Sequence, residues 1–125
     1  MKLLNVGLVG EEIPCVLDAN NDIRSLEGIC EAISSDFLAN NGLEVLKTID
    51  IKALPVIKKP IRIGAPLLKP GKIIAVGLNY DEHIKETGSK QQEEPVLFTK
   101  AVSAISGPFD PIERPKGATQ VDWEV

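Results

Sequence analysis

The chain has 125 residues, of which 43% are hydrophobic and 26% charged, so it has enough apolar material for the core of a globular domain. Its net charge of −4 and its scattered lysines and arginines exclude the basic surface of a nucleic-acid-binding protein. No stretch approaches the roughly 20 apolar residues that a membrane span requires, so we expect neither nucleic acid nor membrane as a partner.

The N-terminus and the two cysteines favour a cytoplasmic protein. The first apolar stretch is interrupted by Asn5 and followed by two glutamates, and it lacks the cleavage site of a signal peptide. Cys15 and Cys30 lie far apart without Cys-x-x-Cys spacing. That arrangement favours free thiols in a reducing compartment over a disulfide framework or a zinc site.

Residues 1–70 are predicted to form a small leading domain of strands and helices. A hairpin is expected from strands at Lys2–Val9 and Ile13–Asp18, with a turn at Gly10. A tight turn at Asp18–Asp22 then leads to a short extended piece around Ile23.

Helices are predicted next, followed by an irregular connector. Ile29, Ile33, Phe37 and Leu38 recur at helical spacing, and a second helix is expected near Leu43–Thr48. Four prolines within residues 53–72 exclude one regular element there, apart from a short strand at Pro60–Ile63. We place the boundary between two domains at about residue 70.

The character of the sequence changes after the connector. Lys72–Asn79 is almost entirely apolar and β-branched, which predicts a buried strand. A short helix follows, with Asn79 as the expected N-cap and Gly88 placed to end it. A strand is predicted at Pro95–Lys100 and a turn at Gly107–Pro111.

The last residues alternate between apolar and polar side chains, which predicts a strand. Val121, Trp123 and Val125 would lie on one face, and the pattern is still running at the final residue. Because domains seldom end inside a strand, we expect the chain to be an N-terminal fragment of a longer protein.

His83 and Glu86 form the first candidate for chemistry. Three residues apart on a helix, they would share one face, where the carboxylate could orient the imidazole as a general base for a water molecule. A solvated surface helix with weak ion pairs, such as Asp81 with Lys85, carries the same residues. Taken alone, the pair favours that second interpretation.

Lys100 and a pair of carboxylates are the other candidates. Lys100 ends a predicted strand, where it could meet an anionic substrate or be an ordinary edge lysine. Asp122 and Glu124 would point the same way, as metal ligands or as the solvated face of a strand. The spacing of these residues alone favours the ordinary alternatives.

Four segments in a fixed order alter this balance. They are "KIIAVGLNYDEHIKETG", "EEPVLFTK", "SGPFDPIERP" and "VDWEV". This order resembles the fumarylacetoacetate hydrolase family, which carries a GxNYxxHxxExG run, a PxxFxK strand and a metal-binding Glu-x-Glu after an aromatic residue. The resemblance covers residues 72–125. Residues 1–70 look like the smaller leading domain of bacterial two-domain members, variously labelled ureidoglycolate lyases, diketo-sugar-acid hydrolases and hydroxyheptadienedioate isomerases.

The resemblance implies a role for each matching residue. His83 and Glu86 match the dyad that orients and deprotonates water, and residues 80–94 match a mobile lid. Asn79 and Tyr80 match substrate-binding positions, and Lys100 matches the lysine near the substrate carboxylate or developing enolate. Glu124 matches the first glutamate of the metal-binding pair, whose second member would follow Val125.

The fold that the resemblance implies is α+β. A small N-terminal α/β module, residues 1–70, would precede the first strands of a mostly β catalytic domain, truncated at residues 71–125. The implied activity is metal-dependent hydrolase or lyase chemistry on a C–C or related bond of a keto or diketo acid.

The resemblance also implies cofactors and an assembly. We expect Mg²⁺, or Mn²⁺ or Ca²⁺, in a homodimeric parent protein, and no activity in the fragment alone. The alternative from another class is a non-catalytic binding or assembly module.

Overall fold

The computed structural model describes residues 1–121 and contains a three-stranded and a two-stranded antiparallel sheet. The first sheet has the order β1-β2-β3, with strands at Lys2–Val6, Ile13–Leu17 and Ile23–Ser25. The predicted hairpin is therefore confirmed, with shorter strands. β1 ends at Val6 because Gly7 adopts a φ of 125°, which turns the chain out of the sheet.

The predicted tight turn between β2 and β3 is also confirmed. The Asp18 carboxylate accepts hydrogen bonds from the backbone N–H groups of Asn20 and Asp22, at 2.8 and 3.0 Å. Its other oxygen lies 2.8 Å from Nη2 of Arg24. One aspartate thus closes the turn and ties it to β3.

The helices are shorter than the spacing of apolar residues predicts. α1 spans Ser35–Ala39 and α2 spans Gly42–Lys47, the second close to its predicted position. The predicted helical stretch that carries Ile29, Ile33, Phe37 and Leu38 is wrong in its first part, since Ile29 and Ile33 lie outside α1. Gly28 has a φ of 82° there, and the Leu26 carbonyl closes a tight turn. α1 begins only after Ser34, whose hydroxyl accepts the N–H of Phe37.

The sheet of β1–β3 is covered on both faces. Leu4, Val6, Cys15 and Ile23 form one buried cluster, against which Ile57 and Ile61 of the connector pack. Val16 on the opposite face packs with Leu26 and with Leu46 of α2. Among residues 1–121, every buried hydrophobic side chain lies at or before Ala65.

The connector follows the first sheet without forming the predicted strand. Only single bridges occur in this part of the described chain, Val6 with Ile63 and Arg24 with Val56. Prolines on either side of Ile63 lack the N–H that a continuous ladder requires, so the expected strand at Pro60–Ile63 is reduced to one residue. Nδ2 of buried Asn5 donates to the carbonyls of Ala65 and Pro66, at 2.8 and 3.2 Å.

The second sheet pairs β4, Ile73–Gly77, with β5, Val96–Lys100. α3, Asp81–Thr87, lies between them in the chain. The prediction that the β4 segment is buried is wrong for residues 1–121, because Ile74 and Val76 are 58% and 47% exposed. Two strands alone do not supply the layers that cover both faces of a buried strand.

Two further predictions concern the later part of the chain. The turn at Gly107–Pro111 is confirmed, since the N–H of Asp110 bonds to the carbonyl of Gly107. The final strand has no counterpart at residues 119–121, and residues 122–125 lie outside the described residues. Within residues 1–121, no helix has the length and apolarity needed to cross a membrane.

Candidate active site

α3 carries the histidine and the glutamate singled out by sequence. The helix ends at Gly88, which adopts the left-handed conformation with a φ of 64° and donates its N–H back to the last turn. Its first capping residue is Tyr80 rather than the predicted Asn79, so that detail is wrong. The Tyr80 carbonyl accepts the N–H of Ile84, but the Tyr80 side chain makes no capping bond.

The helix brings His83 and Glu86 onto one face. Nδ1 of His83 lies 3.9 Å from Oε2 of Glu86, and the two side chains are 56% and 82% exposed. That separation is beyond a hydrogen bond but within reach of a small rotation of either exposed side chain. The arrangement therefore allows the carboxylate to orient the imidazole through Nδ1.

The backbone is strained immediately before the helix. Leu78, between β4 and Asn79, has a φ of 52°, a conformation that is costly for a bulky residue. Such outliers cluster at binding and catalytic sites, where surrounding structure holds them in place. Asn79 and Tyr80 follow directly, and both are exposed.

Lys100 lies at the other end of the hairpin. Gly77 pairs with Val96 beside the connection to α3, whereas Lys100 pairs with Ile73. Four residues of strand separate Val96 from Lys100, a distance of about 13 Å. The Lys100 ammonium lies 5.6 Å from the ring centre of Phe98, within the range of a cation–π contact. The register thus separates Lys100 from the start of α3.

The proposed metal ligand cannot be placed. Glu124 lies outside the described residues, and no group of three or more His, Cys, Asp or Glu side chains within residues 1–121 could hold a metal ion. The described residues therefore do not fit a metal ion by themselves.

Sequence reasoning missed a cluster that we name the Arg62 cluster: Arg62, Glu12, Asp110 and the Gly7 carbonyl. Arg62 Nε and Nη2 donate to the two oxygens of Asp110, at 2.8 and 2.6 Å. Nη1 donates to Oε1 of Glu12 at 2.8 Å and to the Gly7 carbonyl at 3.1 Å. Arg62 ends a short basic stretch at residues 58–62, and nothing in that stretch indicates partners about fifty residues away.

The ion pairs of this cluster perturb its titration. The hydrogen bonds from Arg62 and from the N–H of Gly107 lower the pKa of Asp110. Burial acts to raise the pKa of Glu12, but hydrogen bonds from Arg62 and the backbone outweigh it and lower that pKa. Bonds to Asp110 and then Glu12 raise the pKa of Arg62. All three groups therefore stay ionised around neutral pH.

The sequence of this chain is similar to that of known proteins. The family model described as fumarylacetoacetate (FAA) hydrolase C-terminal matches residues 72–125. A protein of Burkholderia ambifaria named "Putative hydrolase" is 45% identical over 125 residues, which is all of this chain and 44% of that protein. "Putative hydrolase Bcep18194_B0137" of Burkholderia lata is also 45% identical over the same share of each chain.

The fold of the chain is similar to that of a solved structure. The fumarylacetoacetate hydrolase from psychrophilic Exiguobacterium antarcticum superposes with a TM-score of 0.62 at 33% sequence identity. The match covers 91% of this chain and 40% of that one. The chain therefore spans less than half the length of the relatives that it matches.

Proposed function

Residues 72–125 belong to the fumarylacetoacetate hydrolase family, and on that premise we propose that the chain is part of a hydrolase or lyase. Its substrate would be a keto or diketo acid, cleaved at a C–C or related bond. The observation that carries the proposal is the placement of His83 and Glu86 on one face of α3, 3.9 Å apart, inside the matched region.

In this proposal His83 is the general base and Glu86 orients it. Nδ1 is the imidazole nitrogen nearer to the carboxylate, so a bond from Nδ1–H to Glu86 leaves Nε2 free to take a proton from water. The 3.9 Å gap would shorten by about 1 Å when the bond forms.

Asn79, Tyr80 and Lys100 would bind the substrate. Asn79 and Tyr80 directly precede α3, and the left-handed backbone of Leu78 turns the chain just before them. Lys100 would meet the substrate carboxylate or the enolate that develops on cleavage, a favourable pairing of opposite charges. Because Lys100 lies about 13 Å along β5 from the α3 connection, residues 80–94 would have to fold back over the hairpin as a lid.

We further propose that Glu124 contributes to a Mg²⁺ site completed by residues of a longer protein, which Mn²⁺ or Ca²⁺ could also occupy. Carboxylate oxygens are the ligands that these ions prefer. We also propose a homodimer as the active assembly and a cytoplasmic location, the latter supported by two free cysteines among the described residues. The 125-residue chain alone would be inactive.

The test assays a longer protein that contains this chain with Mg²⁺ against acylpyruvates, ureidoglycolate and diketo sugar acids. We expect turnover of one class, and we expect the His83→Ala variant to lose hydrolysis while Mg²⁺ affinity stays nearly unchanged. Lys85→Ala is the matched control, because Lys85 lies on the same helix but away from the face of His83 and Glu86.

The outcomes separate the proposal from its alternative. Full activity in His83→Ala, or loss of its Mg²⁺ binding, contradicts the role given to His83. Absence of turnover with every substrate class and metal would favour the non-catalytic binding or assembly module instead.

A further inference from the structure

We propose that Arg62 is a positioning residue that holds the turn Gly107–Asp110 against residues 1–66, here called the N-terminal module. By doing so it limits where Lys100 and the residues that directly follow Asp110 can lie. Only the catalytic consequence of this inference rests on the proposed function; the geometry of the Arg62 cluster stands without it.

The guanidinium of Arg62 donates four hydrogen bonds, to partners on two sides. Arg62 forms a two-pronged pair with Asp110, while Nη1 reaches Glu12 and the Gly7 carbonyl on the other side. A planar guanidinium with fixed N–H directions suits such a pair far better than an ammonium group does. All three charged side chains are mostly buried. The cluster is therefore not a solvated surface ion pair.

Asp110 also closes its own turn. Its Oδ2 accepts the N–H of Gly107 at 2.7 Å, and the N–H of Asp110 bonds to the Gly107 carbonyl at 3.1 Å. The same carboxylate thus shapes the turn and binds Arg62. Movement of Arg62 would disturb both.

The backbones of Gly107 and Ile63 approach each other closely. Gly107 is buried, and a side chain there would collide with the carbonyl oxygen of Ile63. Ile63 is in turn bridged to Val6 of β1, and Gly64 donates its N–H to the Asn5 carbonyl. The turn consequently lies directly against the connector and the first sheet.

These contacts matter because the hairpin has little else to hold it. No hydrophobic side chain between residues 66 and 121 is buried. β5 ends at Lys100, seven residues before Gly107, and a chain of that length spans at most about 25 Å. Fixing the turn therefore limits where Lys100 and the residues that follow Asp110 can lie.

The test compares amide hydrogen exchange and the Asp110 carboxyl titration by NMR in the 125-residue chain. In Arg62→Leu we expect the Gly107 and Asp110 amides to exchange about tenfold faster or more, because a charge-assisted hydrogen bond that holds the turn is lost. We also expect the pKa of Asp110 to rise, because the hydrogen bonds from its cation are gone.

Arg24→Leu is the matched control. It breaks another mostly buried arginine–aspartate pair, 2.8 Å long, inside the N-terminal module, without touching residues 107–110. A general loss of stability would speed exchange in both variants, but only Arg62→Leu should move the Asp110 titration. An unchanged Asp110 titration in Arg62→Leu, or an equal change in Arg24→Leu, would overturn the inference.

Two milder variants serve if Arg62→Leu does not fold. Arg62→Lys keeps the charge and loses the two-pronged geometry, so the Asp110 pKa should move less while Gly107 exchange still accelerates. Asp110→Asn should accelerate Gly107 exchange and leave the amide of buried Val16 protected. If the Gly107 amide stays protected from hydrogen exchange in both variants, Arg62 does not hold the turn.

The catalytic consequence is measured in the longer protein. Arg62→Lys should lower kcat/KM by about tenfold to a hundredfold through misplacement, with Arg24→Lys unchanged. An inactive unsubstituted protein would refute the proposed function, and the NMR measurements would still decide this inference. An active protein with normal kinetics in Arg62→Lys would refute the positioning role in catalysis.

Discussion

The two cysteines show how differently one residue type behaves in this fold. Cys15 is completely buried in β2, whereas Cys30 lies half-exposed in the turn after β3. Burial raises the pKa of the Cys15 thiol to about 11, with smaller contributions from Glu27 and Cys30. Burial also raises the pKa of Cys30. Both thiols are therefore poor nucleophiles at neutral pH.

We expect the stability of the chain to fall between pH 9 and pH 11 because of Cys15. Its pKa is about 11 when folded and near 9 when unfolded, so the folded state binds the proton more tightly. The contribution is fully present below pH 9 and is lost as pH rises, by an amount on the order of 2 kcal/mol. Denaturant unfolding at several pH values measures it.

The control for this prediction is Cys15→Ala, which is less stable overall because of the cavity. The variant should show a shallower loss of unfolding free energy over the same pH range. Equal slopes in the two proteins would contradict the assignment.

At the scale of the element, α3 shows what local sequence can and cannot indicate. Gly88 as the end of the helix was predictable, because the left-handed conformation favours glycine there. The predicted N-cap lies one residue too early. A good capping side chain at Asn79 does not by itself set the first residue of the helix, because the strained backbone of Leu78 also determines how the chain enters it. The exposure of β4 was not predictable either, since burial depends on what covers the hairpin.

We predict that Tyr80→Asp stabilises α3. An aspartate at the N-cap would accept a backbone N–H of the first turn, a bond that the Tyr80 side chain does not make. The gain should be about 1 kcal/mol, seen as slower amide exchange within the helix. In the longer protein the same change should weaken substrate binding if Tyr80 contacts substrate as proposed.

Asn79→Asp is the control for Tyr80→Asp. If Asn79 were the N-cap, replacing it with another good capping residue would change little, and Tyr80→Asp would place its carboxylate inside the helix. Little change in Asn79→Asp together with no stabilisation in Tyr80→Asp would therefore show that the helix begins one residue earlier.

A second prediction at this scale concerns the turn that contacts the connector. Gly107→Ala should lower the free energy of unfolding by about 1–3 kcal/mol, because the new methyl group would collide with the Ile63 carbonyl. Gly71→Ala is the matched control, since nothing lies within 4 Å of a side chain there and its φ is not positive. Equal unfolding midpoints for the two variants would mean that the close approach is absent in solution.

Across the whole molecule, the division into two domains stays a prediction, and the contact between the two parts was not predictable from local sequence. The change from a proline-rich connector to an apolar strand indicated a boundary near residue 70. The contact between Arg62 and Asp110 crosses that boundary over 48 residues, and periodicity and turn chemistry report only on neighbours in sequence. The catalytic residues stay predictions, since family motifs rather than local spacing singled them out.

We expect residues 1–70 to fold alone and residues 71–125 to remain largely unfolded alone. The first fragment holds all the buried hydrophobic side chains of residues 1–121, whereas the second holds an isolated hairpin and a helix of one to two turns. Circular dichroism and a cooperative denaturant transition would test each fragment. A cooperative transition in the second fragment alone would contradict this division.

The placement of the core at the front of the chain also bears on the order of events during synthesis. The β1–β3 sheet and its packing partners emerge from the ribosome before the hairpin, so they can fold first. Arg62 would then lack its Asp110 partner while 48 further residues are added, roughly 2–10 s at ordinary elongation rates. During that interval Glu12 already offers the arginine a partner. Glu12 would thus keep the guanidinium in place on the nascent chain until the second carboxylate arrives.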